Sequence, residues 1–174
     1  MKISDVLRAE NAVVDLAAAS KSRLLQLLSE RAAKALGTDG RKILAALSNR
    51  EKLGSTGIGY GVAIPHAPLG EIAMPFGLAA RLARPIAFES IDEVPVDIVV
   101  LLLTPARDRT AHLNVLAAIS RRLRQPDVLT IARAAADAAR FHRAIVGEDT
   151  AADAGSGLGE KSLVAGATGP RSLR

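Results

Sequence analysis

The residue in this chain best placed to do chemistry is a histidine. His66 closes the run Arg50-Glu51-Lys52-Leu53-Gly54-Ser55-Thr56-Gly57-Ile58-Gly59-Tyr60-Gly61-Val62-Ala63-Ile64-Pro65-His66. A neutral imidazole is a nucleophile at physiological pH and needs no cofactor. The glycines ahead of it let the backbone come close to whatever the imidazole carries, and Pro65 fixes the backbone beside it. Arg50 stands at the head of the run, sixteen positions before His66. Its forked donors suit phosphate oxygens, but a cation at a helix C-terminus is also favourable for the macrodipole alone. Ser55, Thr56 and Gly57 can offer hydroxyls or backbone N–H groups to an oxyanion, or they form a turn that simply reverses the chain.

The other two histidines read differently. His112 falls on one face of a predicted helix with Leu116, Ile119 and Leu123, where composition alone favours a half-buried packing role. His142, beside Phe141 and Arg143, reads as a surface or packing histidine.

The elements that must hold these residues can be traced along the chain. Ser20 to Leu36 reads as a helix, with Ser20 as cap and Gly37 as stop. Thr38 or Asp39 caps a second helix through about Arg50, with Ile43, Leu44 and Leu47 turned inward. Gly54 to Gly61 is a loop, and Tyr60 to Ile64 a short buried strand ended by Pro65. Phe76 to Leu82 is a strand candidate that Arg84-Pro85-Ile86-Ala87-Phe88 can extend. Val96 to Leu103 is continuously apolar, the pattern of a central strand covered on both faces. Thr110 to Leu123 is a helix, and Pro126 opens a last helical region to about Val146, in one piece or two. Helices interleaved with short strands predict a single α/β domain. From Gly147 onward periodicity is lost, so 147–174 reads as a tail outside the domain of residues 1–146.

Composition removes several classes. The chain has no cysteine, so disulfides, thiolate metal sites and cysteine nucleophiles are excluded. Three scattered histidines lack metal-ligand spacing. Gly57-Ile58-Gly59-Tyr60-Gly61 fails as a dinucleotide fingerprint, because Val62 takes the third glycine's place and a strand follows. There is no Gly-Lys-Ser/Thr phosphate loop, and the Gly155-Ser156-Gly157 cluster lies in the tail. The N-terminus has no signal-peptide pattern, and the longest apolar run, Ile98 to Leu103, is too short to span a membrane. The expectation is a soluble, cytoplasmic protein. A net charge of +5 and a pI of about 10.1 raise the question of nucleic acid. The basic residues are dispersed, however, and the chain has few aromatics to stack bases, so no nucleic-acid partner is expected.

The Arg50–His66 run resembles the phosphorylation-site motif of the enzyme IIA domains of the bacterial phosphoenolpyruvate-dependent phosphotransferase system, fructose/mannitol type. Within that group the Arg-Glu-Lys-Leu-Gly-Ser-Thr-Gly-Ile-Gly segment is most similar to the nitrogen-regulatory branch. Lys2-Ile3-Ser4-Asp5-Val6-Leu7, the stretch from Pro95 to Pro105, and His112-Leu113 match in the family's order. The resemblance implies a mixed sheet flanked by helices on both sides. It also implies that His66 accepts a phosphoryl group from a phosphohistidine carrier protein, with no cofactor. His112 would help position or stabilise that group, Arg50 would contact it, and Ser55, Thr56 and Gly57 would bind its oxygens.

Implied partners are the carrier and regulatory targets such as potassium-transport or sensor-kinase proteins. The alternative is a transport component that forwards the group to a sugar-specific IIB domain. One departure stands out. The family commonly follows the histidine with Gly or Ala and then a basic residue, whereas this chain reads His66-Ala67-Pro68. Arg81 or Arg84 is a candidate to supply the missing cation.

Overall fold

A computed structural model describes residues 2–147. The tail expected beyond Gly147 lies outside the described residues, as does the side chain of Arg109.

The predicted central strand is the axis of the fold. Strand β6 (Val96–Pro105) pairs antiparallel with β5 (Phe76–Ile86), and β5 pairs parallel with β1 (Leu7–Leu16). On its other side β6 pairs parallel with β3 (Val62–Ala63) and then with β4 (His66–Leu69). The short β2 (Gly57–Gly59) closes antiparallel on β3. The result is a six-stranded mixed sheet.

Side chains of β6 alternate with the pleat. Val99, Leu101 and Leu103 pack with Leu24, Leu28, Ile43 and Leu47 on one face. Ile98, Val100 and Leu102 pack with Val115, Ile119, Leu129 and Phe141 on the other. The continuous apolar run therefore reflects two cores, one on each face of the sheet.

Helices α1 (Lys21–Leu36) and α2 (Gly40–Lys52) supply the first face. Ser20 caps α1 by accepting from the Arg23 N–H, and Gly37 ends it in the left-handed region. Asp39 caps α2 by accepting from the Arg41 N–H. The second face is built by α3 (Arg109–Arg122), α4 (Pro126–Ala134) and α5 (Ala138–Val146), so the last helical region is in two pieces.

Three strands were not foreseen. β1 mixes Arg8, Glu10, Asn11 and Asp15 irregularly with apolar residues and is broken by register shifts, so it lacks clean alternation. β4 begins with the residue expected to lie just past a strand. The register explains it: Val62 pairs with Ile98, Ala63 with Val99, His66 with Leu102 and Ala67 with Leu103. β3 and β4 thus follow β6 in one constant register, interrupted only at Ile64-Pro65. The expected loop before them is also partly ordered as β2. Gly61 (φ +76°) forms the tight turn between β2 and β3. A Cβ there would lie 2.6 Å from Arg133 Nη2 and 2.9 Å from Asp97 Oδ1.

Candidate active site

His66 takes its direction from the strand. Val62 and Ile64 face the second core, while Ala67 faces the first. Parity along β4 therefore puts His66 on the second face, beneath α3. The ladder bonds at the ends of β4, from Leu102 N–H to Pro65 O and from Ala106 N–H to Leu69 O, fall on odd-numbered residues. Even-numbered backbone groups point to the strand's open edge. Ile64 O is one of them, and it accepts a 2.8 Å hydrogen bond from His66 Nδ1–H. Pro68 is another, so its missing N–H costs the ladder nothing.

With Nδ1 protonated, the lone pair of His66 sits on Nε2. Arg50, in the last turn of α2, points Nε–H at that lone pair from 3.0 Å and gives Nη1–H to Gly54 O at 3.0 Å. Both readings of Arg50 therefore hold at once: it stands at a helix C-terminus and it reaches the imidazole.

His112 projects from the first turns of α3. Its ring centroid is 5.4 Å from that of His66, with the planes tilted by 53°. His112 Nδ1 is 2.7 Å from Thr104 Oγ1. Thr104 is buried at the end of β6, in register with Pro68. The positive end of the α3 dipole thus lies on the same side as the histidine pair.

These placements disfavour the charged form of both imidazoles. Burial pushes His66 below the ordinary value of 6.5, and the charge of Arg50 and the neighbouring His112 add to this. The Ile64 hydrogen bond and the more distant Glu51 act against it. His112 is lowered from 6.5 by burial and then by Arg50.

The loop residues have other partners. Thr56 gives its N–H to Glu51 Oε1 (2.9 Å) and its hydroxyl to Glu51 Oε2 (2.6 Å). Ser55 Oγ donates to Phe88 O (2.8 Å) and accepts from Gly57 N–H (3.2 Å). The Ser55 hydroxyl, the Thr56 hydroxyl and N–H, and the Gly57 N–H thus each meet an acceptor within the protein, which holds the glycine-rich segment in one shape. Gly57 itself lies against Ser90, which leaves no room for a Cβ.

One candidate is removed. Arg81 does not supply a cation at the site, since its guanidinium is held by the Ala132, Arg133 and Ala135 carbonyls and by Asp15. Of the two readings of His142, packing is the one observed: it is 8% exposed and its Nε2–H donates to Leu7 O at 2.8 Å. Sequence reasoning missed Thr104 and Glu51. Thr104 directly follows the apolar run that ends at Leu103, and nothing local sets it apart. Glu51 carried a signal, being a carboxylate next to Arg50 at the head of a glycine-rich loop.

The family model described as "Phosphoenolpyruvate-dependent sugar phosphotransferase system, EIIA 2" matches residues 5–147. The chain is 46% identical over 138 residues to a nitrogen regulatory protein of Bradyrhizobium diazoefficiens, covering 79% of this chain and 90% of that one. It is 40% identical over 136 residues to the nitrogen regulatory protein of Escherichia coli, covering 78% and 83%. The crystal structure of nitrogen regulatory protein IIA-Ntr from Neisseria meningitidis superposes with a TM-score of 0.78 at 28% identity, covering 82% of this chain and 98% of that one.

Proposed function

The chain belongs to the EIIA 2 family of the phosphoenolpyruvate-dependent sugar phosphotransferase system, and from that premise we infer that His66 Nε2 is the atom that receives the phosphoryl group. The protein is a phosphoryl-accepting IIA protein of the nitrogen-regulatory type, as its similarity to the nitrogen regulatory proteins indicates. The observation that carries the assignment to His66 is its hydrogen bonding. Nδ1–H is held by Ile64 O, and the Nε2 lone pair faces a guanidinium at the partly open edge of the site.

The step balances simply. The Nε2 lone pair attacks phosphorus as the N–P bond of a phosphohistidine carrier breaks, and the donor imidazole keeps that electron pair. Both sides are phosphoimidazoles, so the exchange is close to isoenergetic and runs either way. The transition state is loose, with charge spread over the phosphoryl oxygens. Arg50 must turn from the lone pair to those oxygens, a short movement that exchanges one acceptor for a stronger, charged one. With Thr104 donating to Nδ1, His112 carries its proton on Nε2 and can donate it to a phosphoryl oxygen. Phosphorylation adds about two negative charges to a half-buried site, and that charge is the switch that regulatory partners would read. A domain of residues 1–146 followed by a tail of residues 147–174 is part of the same proposal.

The test is to incubate the protein with phosphoenolpyruvate, enzyme I and the histidine carrier, then measure intact mass. One acid-labile, alkali-stable phosphoryl group is expected, and none in His66→Ala. A His66→Ala variant phosphorylated at the unmodified rate would sink the assignment. Adding a sugar-specific IIB domain separates the roles. Fast onward transfer would favour the transport reading, and retention of the group favours the regulatory one.

A further inference from the structure

Beneath the glycine-rich loop lies a charged cluster that the transfer step does not use. The Glu51 side chain is only 8% exposed. It accepts three hydrogen bonds, two from Thr56 and one from Lys21 Nζ at 2.8 Å. Lys21 is likewise committed. It donates to Phe88 O (3.2 Å) and to Glu89 Oε2 (2.8 Å), and its ammonium lies 4.6 Å from the centroid of the Phe88 ring. Burial opposes the charge on Lys21, but the hydrogen bonds to Glu51 and Glu89 outweigh it and raise its pKa above 10.5. A carboxylate this buried is costly unless fully paired, and here every bond it accepts goes either to the loop or to the cation that balances it.

The cluster is one residue from the site. Arg50 and Glu51 are consecutive in the last turn of α2, and each grips the loop. Glu51 holds Thr56, while Arg50 Nη1 holds Gly54 O, two residues earlier. The second hold sets the plane of the guanidinium, and with it the direction of Nε toward His66. We propose that Glu51, charge-balanced by Lys21, is a positioning residue for phosphoryl acceptance: by fixing Thr56 it sets the Gly54 carbonyl that aims Arg50 at His66 Nε2.

The purpose of this clamp rests on His66 being the acceptor, but its geometry is testable without phosphate. In the unphosphorylated protein, the Arg50 Nε–H should give a slowly exchanging NMR signal. Glu51→Gln keeps the shape and removes the charge. Lys21→Met leaves both Thr56 bonds available and removes the counter-ion. In each variant that signal should lose protection while the thermal melt remains cooperative and the rest of the amide spectrum is retained. In single-turnover transfer from the phosphorylated carrier, the rate constant at saturating carrier should fall at least about tenfold, as is usual when a supporting shell is lost. The half-saturating carrier concentration should not change. Glu89→Gln, at the exposed end of the cluster, should leave both readouts at their original values.

The proposal is overturned if Arg50 Nε–H stays protected in Glu51→Gln and Lys21→Met, or if only the half-saturating concentration moves. Phosphorylation of His66→Ala would instead overturn the acceptor assignment, and the Arg50 signal would still decide whether the clamp aims the guanidinium.

Discussion

His66 has one ring nitrogen donating to Ile64 O and the other accepting from Arg50. A proton on Nε2 would have to displace a guanidinium and sit in a half-buried place beside a second imidazole. The shifts below 6.5 at His66 and His112 follow from burial first and the nearby charge second. We therefore expect both imidazoles to titrate with midpoints below 6.5 in NMR, and His66 to remain a competent nucleophile in mildly acidic solution. A midpoint at or above 6.5 for His66 would contradict the site as described. Pro68 is exposed and two residues past His66 on the same side of β4, where the family pattern implies a cation. Pro68→Lys should speed phosphoryl acceptance by a factor of about five, corresponding to about 1 kcal/mol for a charge near 4 Å in water. The gain should shrink as salt screens it, and a salt-independent gain would point to a cause other than charge.

At the scale of elements, the helices were the easiest part to read. Ser20, Asp39, Gly37 and Pro126 mark ends by local chemistry, and the structure puts the ends of α1, α2 and α4 within a residue or two of them. Strands were harder. β4 is four residues long and starts directly after a proline. Nothing local announces it, because its pairing comes from β6, more than thirty residues away. β1 has the same difficulty at the sheet's edge. His142 shows the consequence for one side chain. The sequence left open whether it packs or lies on the surface; its hydrogen bond to Leu7 O ties α5 to β1. His142→Ala leaves a buried carbonyl unsatisfied and opens a cavity. The expected cost is about 2–4 kcal/mol in denaturant unfolding, with phosphoryl acceptance unchanged. A loss below about 0.5 kcal/mol, the range usual for exposed positions, would show that this contact holds nothing.

For the whole molecule, the depressed imidazoles couple stability to pH. A histidine whose folded pKa lies below its unfolded one binds fewer protons when folded, so stability rises with pH across the gap. The contribution is complete above the unfolded value of 6.5 and is lost as pH falls from 6.5 through the folded values of His66 and His112. Denaturant unfolding should show this acid-side loss, and His112→Gln should flatten it; an equal slope in the variant would rule out the coupling at His112.

The sequence by itself determined the α/β class, the helix ends, the doubly covered central strand and the family. These depend on periodicity, caps and residue order, which are local properties or simple succession. It also singled out His66, Arg50 and His112 as candidates. Only the tertiary structure decided what those residues touch. The constant register of β3 and β4 on β6 turns His66 under α3 and frees Ile64 O to hold its Nδ1–H. The packing of α2 across the open edge brings Arg50 to Nε2. Tertiary contacts also commit Thr56 to Glu51 of α2 and the Ser55 hydroxyl to Phe88, just past β5. Hydrogen bonds of a few ångströms between residues far apart in the chain depend on how strands are registered and layers stacked. No local pattern encodes those distances.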